Sequence, residues 1–312
     1  MTEATLVSHS GSSRPGIFAI WLQAIRSYSL TASATPVLVG AAMAARDGFF
    51  SLPRFILALA GALAIQIGTN LINDYYDYVK GADSPDSMGG SKVIQQELLS
   101  PDEVWWGGIA AFSIGAIFGL ILVYQCGWPV LLLGITSVAA GYFYTAAPVA
   151  LAYVALGELT VFLFMGPVIV LGAYYVMALK FAWQPLIASL PIACLVAAIL
   201  HVNNIRDIES DRVYNKRTLA NLLSRRTANL ELLAFDLGAY GLIVAGVLMR
   251  AMPWTVLLTF VTLGRARDEL KIVFNENQPA KLNLAVLRSA QLHLEFGLVL
   301  FVAILVGWLF GW

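Results

Sequence analysis

Charged side chains are scarce in this 312-residue sequence, with Asp, Glu, Lys and Arg together making up 12% of it, against about 25% in an average soluble domain. Hydrophobic residues fill 59% of the chain, and the mean hydropathy is +0.76. A water-covered globule is excluded, because lipid must cover what water cannot. Basic and acidic residues balance at 19 each, so no net positive field is present to gather nucleic acid. Cysteine is nearly absent. Cys126 and Cys194 lie far apart in apolar surroundings without CxxC or Cys/His spacing, which excludes a disulfide framework or zinc site and leaves two small core residues. Neither a P-loop, a GxGxxG turn nor HExxH occurs, and no Ser/His/Asp or Cys/His arrangement offers a nucleophile. The opening MTEATLVSHSGSSRPG lacks the basic region and apolar run of a signal peptide. Residues 1–312 read as a single intramembrane domain, with residues 1–16 as a flexible N-terminal tail.

What the sequence has in abundance is long apolar stretches near the length needed to cross about 30 Å of hydrocarbon. They fall at about 27–46, 55–73, 105–124, 129–147, 155–178, 185–202, 230–251, 254–270 and 290–311. The expected fold is all-α and polytopic, with nine transmembrane helices. Pro129, Pro185 and Pro253 open runs, and Ser100-Pro101-Asp102-Glu103 combines an N-cap, a first-turn proline and a capping-box Glu. The first and eighth spans are the weakest: Arg26 and Pro36 interrupt one, and Arg265, Arg267 and Asp268 shorten the other. With the N-terminus inside, 15 Lys and Arg residues fall on the inner face and only four, Arg46, Arg54, Lys180 and Arg250, on the outer. That asymmetry predicts a cytoplasmic N-terminus and an odd number of spans. The polar loops at about 78–100, 203–229 and 268–287 then share the cytoplasmic face.

Two acidic segments end spans on that face. In NLINDYYDYVKGADSPD, Asn70, Asn73, Asp74 and Asp77 share one helical face, with Asp83 and Asp86 following in the loop. In HVNNIRDIESDRVYNKRTLA, Asn203, Asn204, Asp207 and Asp211 form a second stripe. Both contain Asn-(Asn or Asp)-x-x-Asp, a weak internal repeat. Carboxylates at a span end are costly unless they face a polar cavity with partners, and two acidic stripes facing each other need a cation between them. Mg2+ fits, because it prefers oxygen ligands and bridges one or two carboxylates to phosphate oxygens. Lys80, Lys92, Arg206, Arg212, Lys216 and Arg217 are interleaved with the acids, as a phosphate ligand requires and a simple cation pathway does not. The combination points to an Mg-diphosphate site, against the alternative that these are solvated loop charges.

Other polar residues have weaker context. Glu158 sits in an apolar run, where an unpaired carboxylate is costly. It serves either to bond an acceptor hydroxyl and help remove its proton, or to pair with another helix. Asp236 and Glu295 read as structural, paired with His293 or a backbone group, and His201 as a histidine satisfied at a helix end. Tyr75, Tyr76, Tyr78, Tyr142 and Tyr144 either stabilise a cationic intermediate through their ring faces or belong, with Trp105, Trp106, Trp308 and Trp312, to the interfacial aromatic belt. Asn70, one turn before Asp74, completes metal coordination or holds a carboxylate. An ion-coupled secondary transporter also combines many spans, acids and repeats, but its site lies near the midplane rather than at span ends. A purely structural subunit has little reason to gather acids and bases on one face.

At these residues the sequence resembles the UbiA-type intramembrane prenyltransferases, and within them the branch acting on 1,4-dihydroxy-2-naphthoate in menaquinone biosynthesis. The resemblance rests on the first acidic motif at 70–83, on the second at 203–219 with its NNIRDIESDR…KRTLA wording, which runs on to Ala220, and on YTAAPVALAYVALGELTVFLFMGP at 144–167. It implies a nine-helix bundle around a central cavity with a side opening to the bilayer. It further implies that Asp74, Asp77, Asp83, Asp207 and Asp211 hold a prenyl diphosphate through Mg2+. Expected substrate contacts are Asn70, Asn73, Lys80, Lys92, Asn203, Asn204, Arg206, Arg212 and Lys216, with Asp77, Asp207, Glu158 and Tyr144 as catalytic residues. The implied reaction joins a polyprenyl diphosphate to an aromatic acceptor, most simply the naphthoate with loss of its carboxylate. Related acceptors are 4-hydroxybenzoate, homogentisate, a porphyrin or a glycerol phosphate. The expected setting is a bacterial or archaeal inner membrane, with the lipid bilayer and two substrates as partners and no obligate protein partner.

Overall fold

The computed structural model describes residues 15–83 and 88–311. The expected tail, apart from Pro15 and Gly16, and Asp86 and Trp312 lie outside them. Among the described residues there is no β-strand, only an isolated bridge between Val154 and Arg217. The helices are α1 (Ile17–Ala24), α2 (Thr31–Arg46), α3 (Leu52–Val79), α4 (Pro101–Cys126), α5 (Trp128–Tyr142), α6 (Gly157–Leu163), α7 (Ile169–Ala178), α8 (Trp183–Arg206), α9 (Ile208–Val213), α10 (Leu219–Leu222), α11 (Arg225–Leu248), α12 (Leu263–Asn275) and α13 (Pro279–Leu309). Among the described residues, seven helical stretches are long and apolar enough to cross a membrane. α6 and α7 form one of them, joined through a π-helical turn at Phe164–Val168, where Pro167 lacks the N–H an α-helical ladder needs.

The remaining two expected spans depart from regular long helices. α5 has 15 residues and reaches about 22 Å at the α-helical rise. The eighth begins as a 3-10 helix over Trp254–Thr262 and becomes α12, which carries Arg265, Arg267, Asp268, Glu269 and Lys271. The expected start of α4 is present in full. Ser100 Oγ accepts from Glu103 N at 3.2 Å, and Ser100 N donates to Glu103 Oε2 at 2.7 Å.

α2 and α8 lie most deeply inside the bundle, and the largest apolar cluster gathers α2, α7, α8, α11 and α13 around Tyr174, Ile192, Ile243 and Phe296. Small residues allow this closeness: a Cβ on Gly40 of α2 would stand 2.5 Å from the Val170 carbonyl oxygen of α7. α3 packs chiefly on α4, and α8 on α11. The two acidic segments, at the ends of α3 and α8, are linked through Tyr153, which bonds Asp77 and, through its backbone, Arg217. Asp236 and His293 are buried, yet no hydrogen-bond partner reaches either carboxylate oxygen or either ring nitrogen among the described residues. Glu295 instead pairs with Arg265 at 3.0 Å.

Candidate active site

α3 runs unbroken through Asn70, Asn73, Asp74 and Asp77, so the first stripe lies on one helix as its spacing predicts. The second stripe is broken. α8 ends at Arg206, Asp207 caps the short α9, and Asp211 follows one turn later.

Asp77 and Asp211 are the centre of the arrangement. Tyr153 donates to Asp77 Oδ1 at 2.7 Å, and Lys216 Nζ stands 3.3 Å from Asp211 Oδ1. Burial alone favours the neutral amine of Lys216, but the charges of Asp211, Asp77 and Asp207 outweigh it and hold its pKa above the ordinary lysine value. One ammonium therefore feels carboxylates from both motifs. Asp211 is pushed up to about 6, chiefly by burial and further by Asp207 and Asp77, with Lys216 acting against them. Its Oδ2 is buried without a hydrogen-bond partner. Lys80 is lowered by burial and by Lys216, against the pull of Asp77. Its Nζ donates to the Thr145 carbonyl at 2.6 Å and lies 3.8 Å from the centre of the Tyr153 ring.

Backbone bonds tie the segment after α5 to the second motif. Arg217 N donates to the Tyr153 carbonyl at 3.2 Å, and Ala155 N to the Arg217 carbonyl at 2.8 Å. Thr145 Oγ1 donates to Asn73 Oδ1 at 2.9 Å. The Tyr144 hydroxyl lies against the start of α6, where a Cβ on Gly157 would stand 3.3 Å from it.

The other expected residues are spoken for by cations or amides. Arg26 forms an ion pair with Asp74, whose Oδ2 also accepts from Ser91 N at 3.2 Å. Lys92 pairs with Asp83, whose Oδ2 accepts from Gln95 at 2.8 Å. A Cβ on Gly90, where φ is +76°, would overlap the Asp83 carboxylate, so only glycine fits there. Arg206 grips Asp207 through Nε at 2.8 Å and Nη2 at 2.7 Å, and donates to Asn283 Oδ1 at 2.7 Å. Arg212 meets Glu209 at the exposed surface. Asn70 donates to Ile25 O and Ser29 Oγ, both at 2.9 Å, which anchors the segment after α1. Asn203 donates to Ile199 O at 3.0 Å. Glu158 Oε1 accepts from Asn204 at 2.8 Å and lies 3.2 Å from His201 Nδ1, while Oε2 is buried and unpartnered.

Beside these groups opens a cavity of about 850 Å3 between α2, α3, α4, α5 and the α6–α7 stretch. Gln66, Thr69, Asn70, Asn73, Tyr142 and Tyr144 line its polar end, and Ile65, Phe112, Val138, Phe164 and Ile169 its apolar body. Leu120, Leu131 and Ile135 line it too and are exposed. Sequence reasoning did not assign Arg26, Thr145 or Tyr153 to this site. The available signals were an arginine inside an apolar span and the position of Thr145 and Tyr153 in the YTAAPVALAY stretch.

Among the described residues no three of His, Cys, Asp and Glu approach closely enough to hold an ion alone. Mg2+ does not demand such a cage, since it keeps waters and takes one or two carboxylates together with substrate phosphate oxygens. The all-oxygen donor set and the orphaned Asp211 Oδ2 fit that mode.

Residues 33–294 match the UbiA prenyltransferase family. The chain is 33% identical over 293 residues to the 1,4-dihydroxy-2-naphthoate octaprenyltransferase of Bacillus subtilis, covering 93% of each protein. Its fold is similar to a UbiA homologue from Aeropyrum pernix, with a TM-score of 0.67 and 19% identity over 88% of this chain and 97% of that one. A UbiA homologue from Archaeoglobus fulgidus bound to GPP and Mg2+ gives a TM-score of 0.61 at 17% identity, over 90% and 99% of the two chains. With the match spanning most of its length, this membrane-embedded chain belongs to the UbiA prenyltransferase family and is a prenyltransferase.

Proposed function

We propose that the enzyme transfers a polyprenyl group from polyprenyl diphosphate to 1,4-dihydroxy-2-naphthoate, with loss of the carboxylate, giving a demethylmenaquinone-type product and diphosphate. The observation that carries this reading is the placement of Asp77, Asp207, Asp211 and Lys216 within one electrostatic cluster, beside the polar end of an apolar cavity of about 850 Å3. A prenyl diphosphate has this polarity: a lipid tail that leaves water and a head that needs neutralising. The cavity wall at Leu120, Leu131 and Ile135 supports entry of the tail from the bilayer. The Bacillus relative supplies the choice of acceptor, and the Archaeoglobus homologue the choice of Mg2+.

In this reading Asp77, Asp207 and Asp211 would hold the metal together with Asp74 and Asp83, which here pair with Arg26 and Lys92. Bound Mg2+ supplies positive charge that stabilises the departing diphosphate. Lys80, Lys92, Lys216, Arg206 and Arg212 add cationic donors around the phosphates, and Asn70, Asn73, Asn203 and Asn204 position the carboxylates and the head group. The Tyr144 ring stabilises positive charge on the allylic carbon. The electron-rich ring attacks that carbon, and loss of carbon dioxide from the attacked position restores aromaticity. Glu158 bonds the acceptor hydroxyl through its unpartnered Oε2.

The bundle crosses the inner membrane nine times with these motifs cytoplasmic. Support comes from the 15-to-four basic asymmetry and from the Trp254–Thr262 and α12 stretch, whose 9 and 13 residues together reach about 37 Å. Incubating purified protein with a polyprenyl diphosphate and a panel of aromatic acceptors tests the reading. The naphthoate is expected to be prenylated and decarboxylated. Prenylation of 4-hydroxybenzoate with its carboxylate retained, and none of the naphthoate, would contradict the acceptor.

A further inference from the structure

We infer that Glu158 and His201 form a buried proton-handling pair on the acceptor side of the site, with Glu231 placed to offset an added proton, and separate from the acids that face the diphosphate. The inference deepens the proposed function and rests on its reading that the acceptor is a hydroxylated aromatic.

The geometry assigns the protons. His201 Nε2 lies 2.9 Å from the Ala228 carbonyl oxygen, which offers only lone pairs, so Nε2 carries hydrogen. Nδ1 faces Glu158 Oε1 at 3.2 Å. A lone pair there would face a second lone pair unless one proton sits between the two atoms. The pair is therefore either imidazolium with carboxylate or imidazole with carboxylic acid, and both forms are neutral overall. That suits a location where both residues are almost fully buried and an isolated charge is costly. Asn204 donates to the same Oε1 at 2.8 Å, so Oε1 is committed to the protein and the unpartnered Oε2 is the atom left for a ligand. Gly157 precedes Glu158, and a Cβ there would stand 3.3 Å from the Tyr144 hydroxyl. Tyr144 lines the cavity, so the residue next to Glu158 abuts the cavity wall, with the Tyr144 hydroxyl between the cavity and the pair.

In the step itself, the acceptor's hydroxyl proton passes to Oε2 and the freed O–H electron pair feeds the ring. The ring forms its bond to the allylic carbon as the carbon–oxygen bond to diphosphate breaks, and that bond's electron pair leaves on the diphosphate. The pair then holds one extra proton. The Glu231 carboxylate, 3.7 Å from Nε2 and a quarter exposed, offsets the added charge until the proton is shed to water. Phe235 closes the edge of the imidazole, with ring centroids 5.9 Å apart. His201 acts through Glu158 and is a positioning residue.

The test uses the full chain in lipid nanodiscs with Mg2+, a prenyl diphosphate and two acceptors of the same ring system, one with an ordinary phenol and one acidified enough to be ionised at the assay pH. His201→Asn and Glu158→Gln are expected to lower kcat about 100-fold on the ordinary phenol, the scale of lost general-base catalysis, with little change on the ionised one and unchanged KM for the diphosphate. A structural role would lower both acceptors alike, and that result overturns the pairing. If the His201 variant no longer binds prenyl diphosphate, Glu231→Gln decides: a smaller loss confined to the ordinary phenol supports the pairing, and no loss or an equal loss overturns it. A wild-type protein inactive on every hydroxylated aromatic overturns both this inference and the functional reading. Active wild type with acceptor-independent defects overturns this inference alone.

Discussion

The Tyr153 hydroxyl donates to Asp77 at 2.7 Å while the Tyr153 carbonyl accepts from Arg217 N at 3.2 Å, so one residue spans the ends of both acidic motifs. Tyr153→Phe removes only the hydroxyl. A hydrogen bond to a charged group contributes about 1.5–3 kcal/mol, and roughly 1.4 kcal/mol corresponds to a factor of ten in rate. The expected outcome is a loss of about tenfold or more in kcat/KM for prenyl diphosphate with normal membrane insertion. Wild-type kinetics would show that Asp77 needs no such support.

Arg26 and Asp74 define a second test. Asp74 is 3% exposed and Arg26 18%, so removing the cation leaves a buried carboxylate uncompensated, at a cost of about 3–5 kcal/mol. Arg26→Met is expected to lower the melting temperature clearly, and adding Asp74→Asn to restore most of it. An unchanged melting temperature in the single variant would contradict the pairing.

These two residues also mark the limits of what could be read in the sequence. The α3 stripe was legible because a regular helix converts spacing into a face. The Ser100–Glu103 cap was legible because both partners are local. Arg26 read only as an interruption of the first span, since its partner is 48 residues away. Tyr153 was hidden because its role depends on a loop meeting Arg217. The second stripe misled in one respect: the α8 helix stops at Arg206 and Asp207 turns the chain, which period-3.6 counting does not register. α5 and the 3-10 start of the eighth span were hidden for the same reason, because apolar length does not report helix type.

Metal binding is expected to depend on pH through Asp211. Burial raises its pKa to about 6, so the carboxyl holds a proton below that value and a cation must displace it. The apparent affinity for Mg2+ should fall as the pH drops through about 6 and level off above it. Titration of diphosphate binding with Mg2+ across that range reads the effect. Asp211→Asn should abolish the Asp211-linked part, and an identical pH dependence in that variant would assign it elsewhere.

Orientation is separable from chemistry. Cys126 and Cys194 are buried, so single cysteines introduced at Ser210 and Asp47 report cleanly to an impermeant thiol reagent. Ser210 is expected to label from the cytoplasmic side and Asp47 from the other. Labelling of both from one side would contradict the nine-crossing topology.

The most direct measurement is prenyl transfer to 1,4-dihydroxy-2-naphthoate by the purified protein, followed by mass spectrometry with Mg2+, with EDTA, and with Mg2+ restored, for wild type, Asp77→Asn and Asp207→Asn. The wild type is expected to give a decarboxylated prenyl product that disappears in EDTA and returns with Mg2+, and both variants to lose nearly all turnover despite normal insertion. Full activity in EDTA, or wild-type turnover in both variants, would contradict the proposed function.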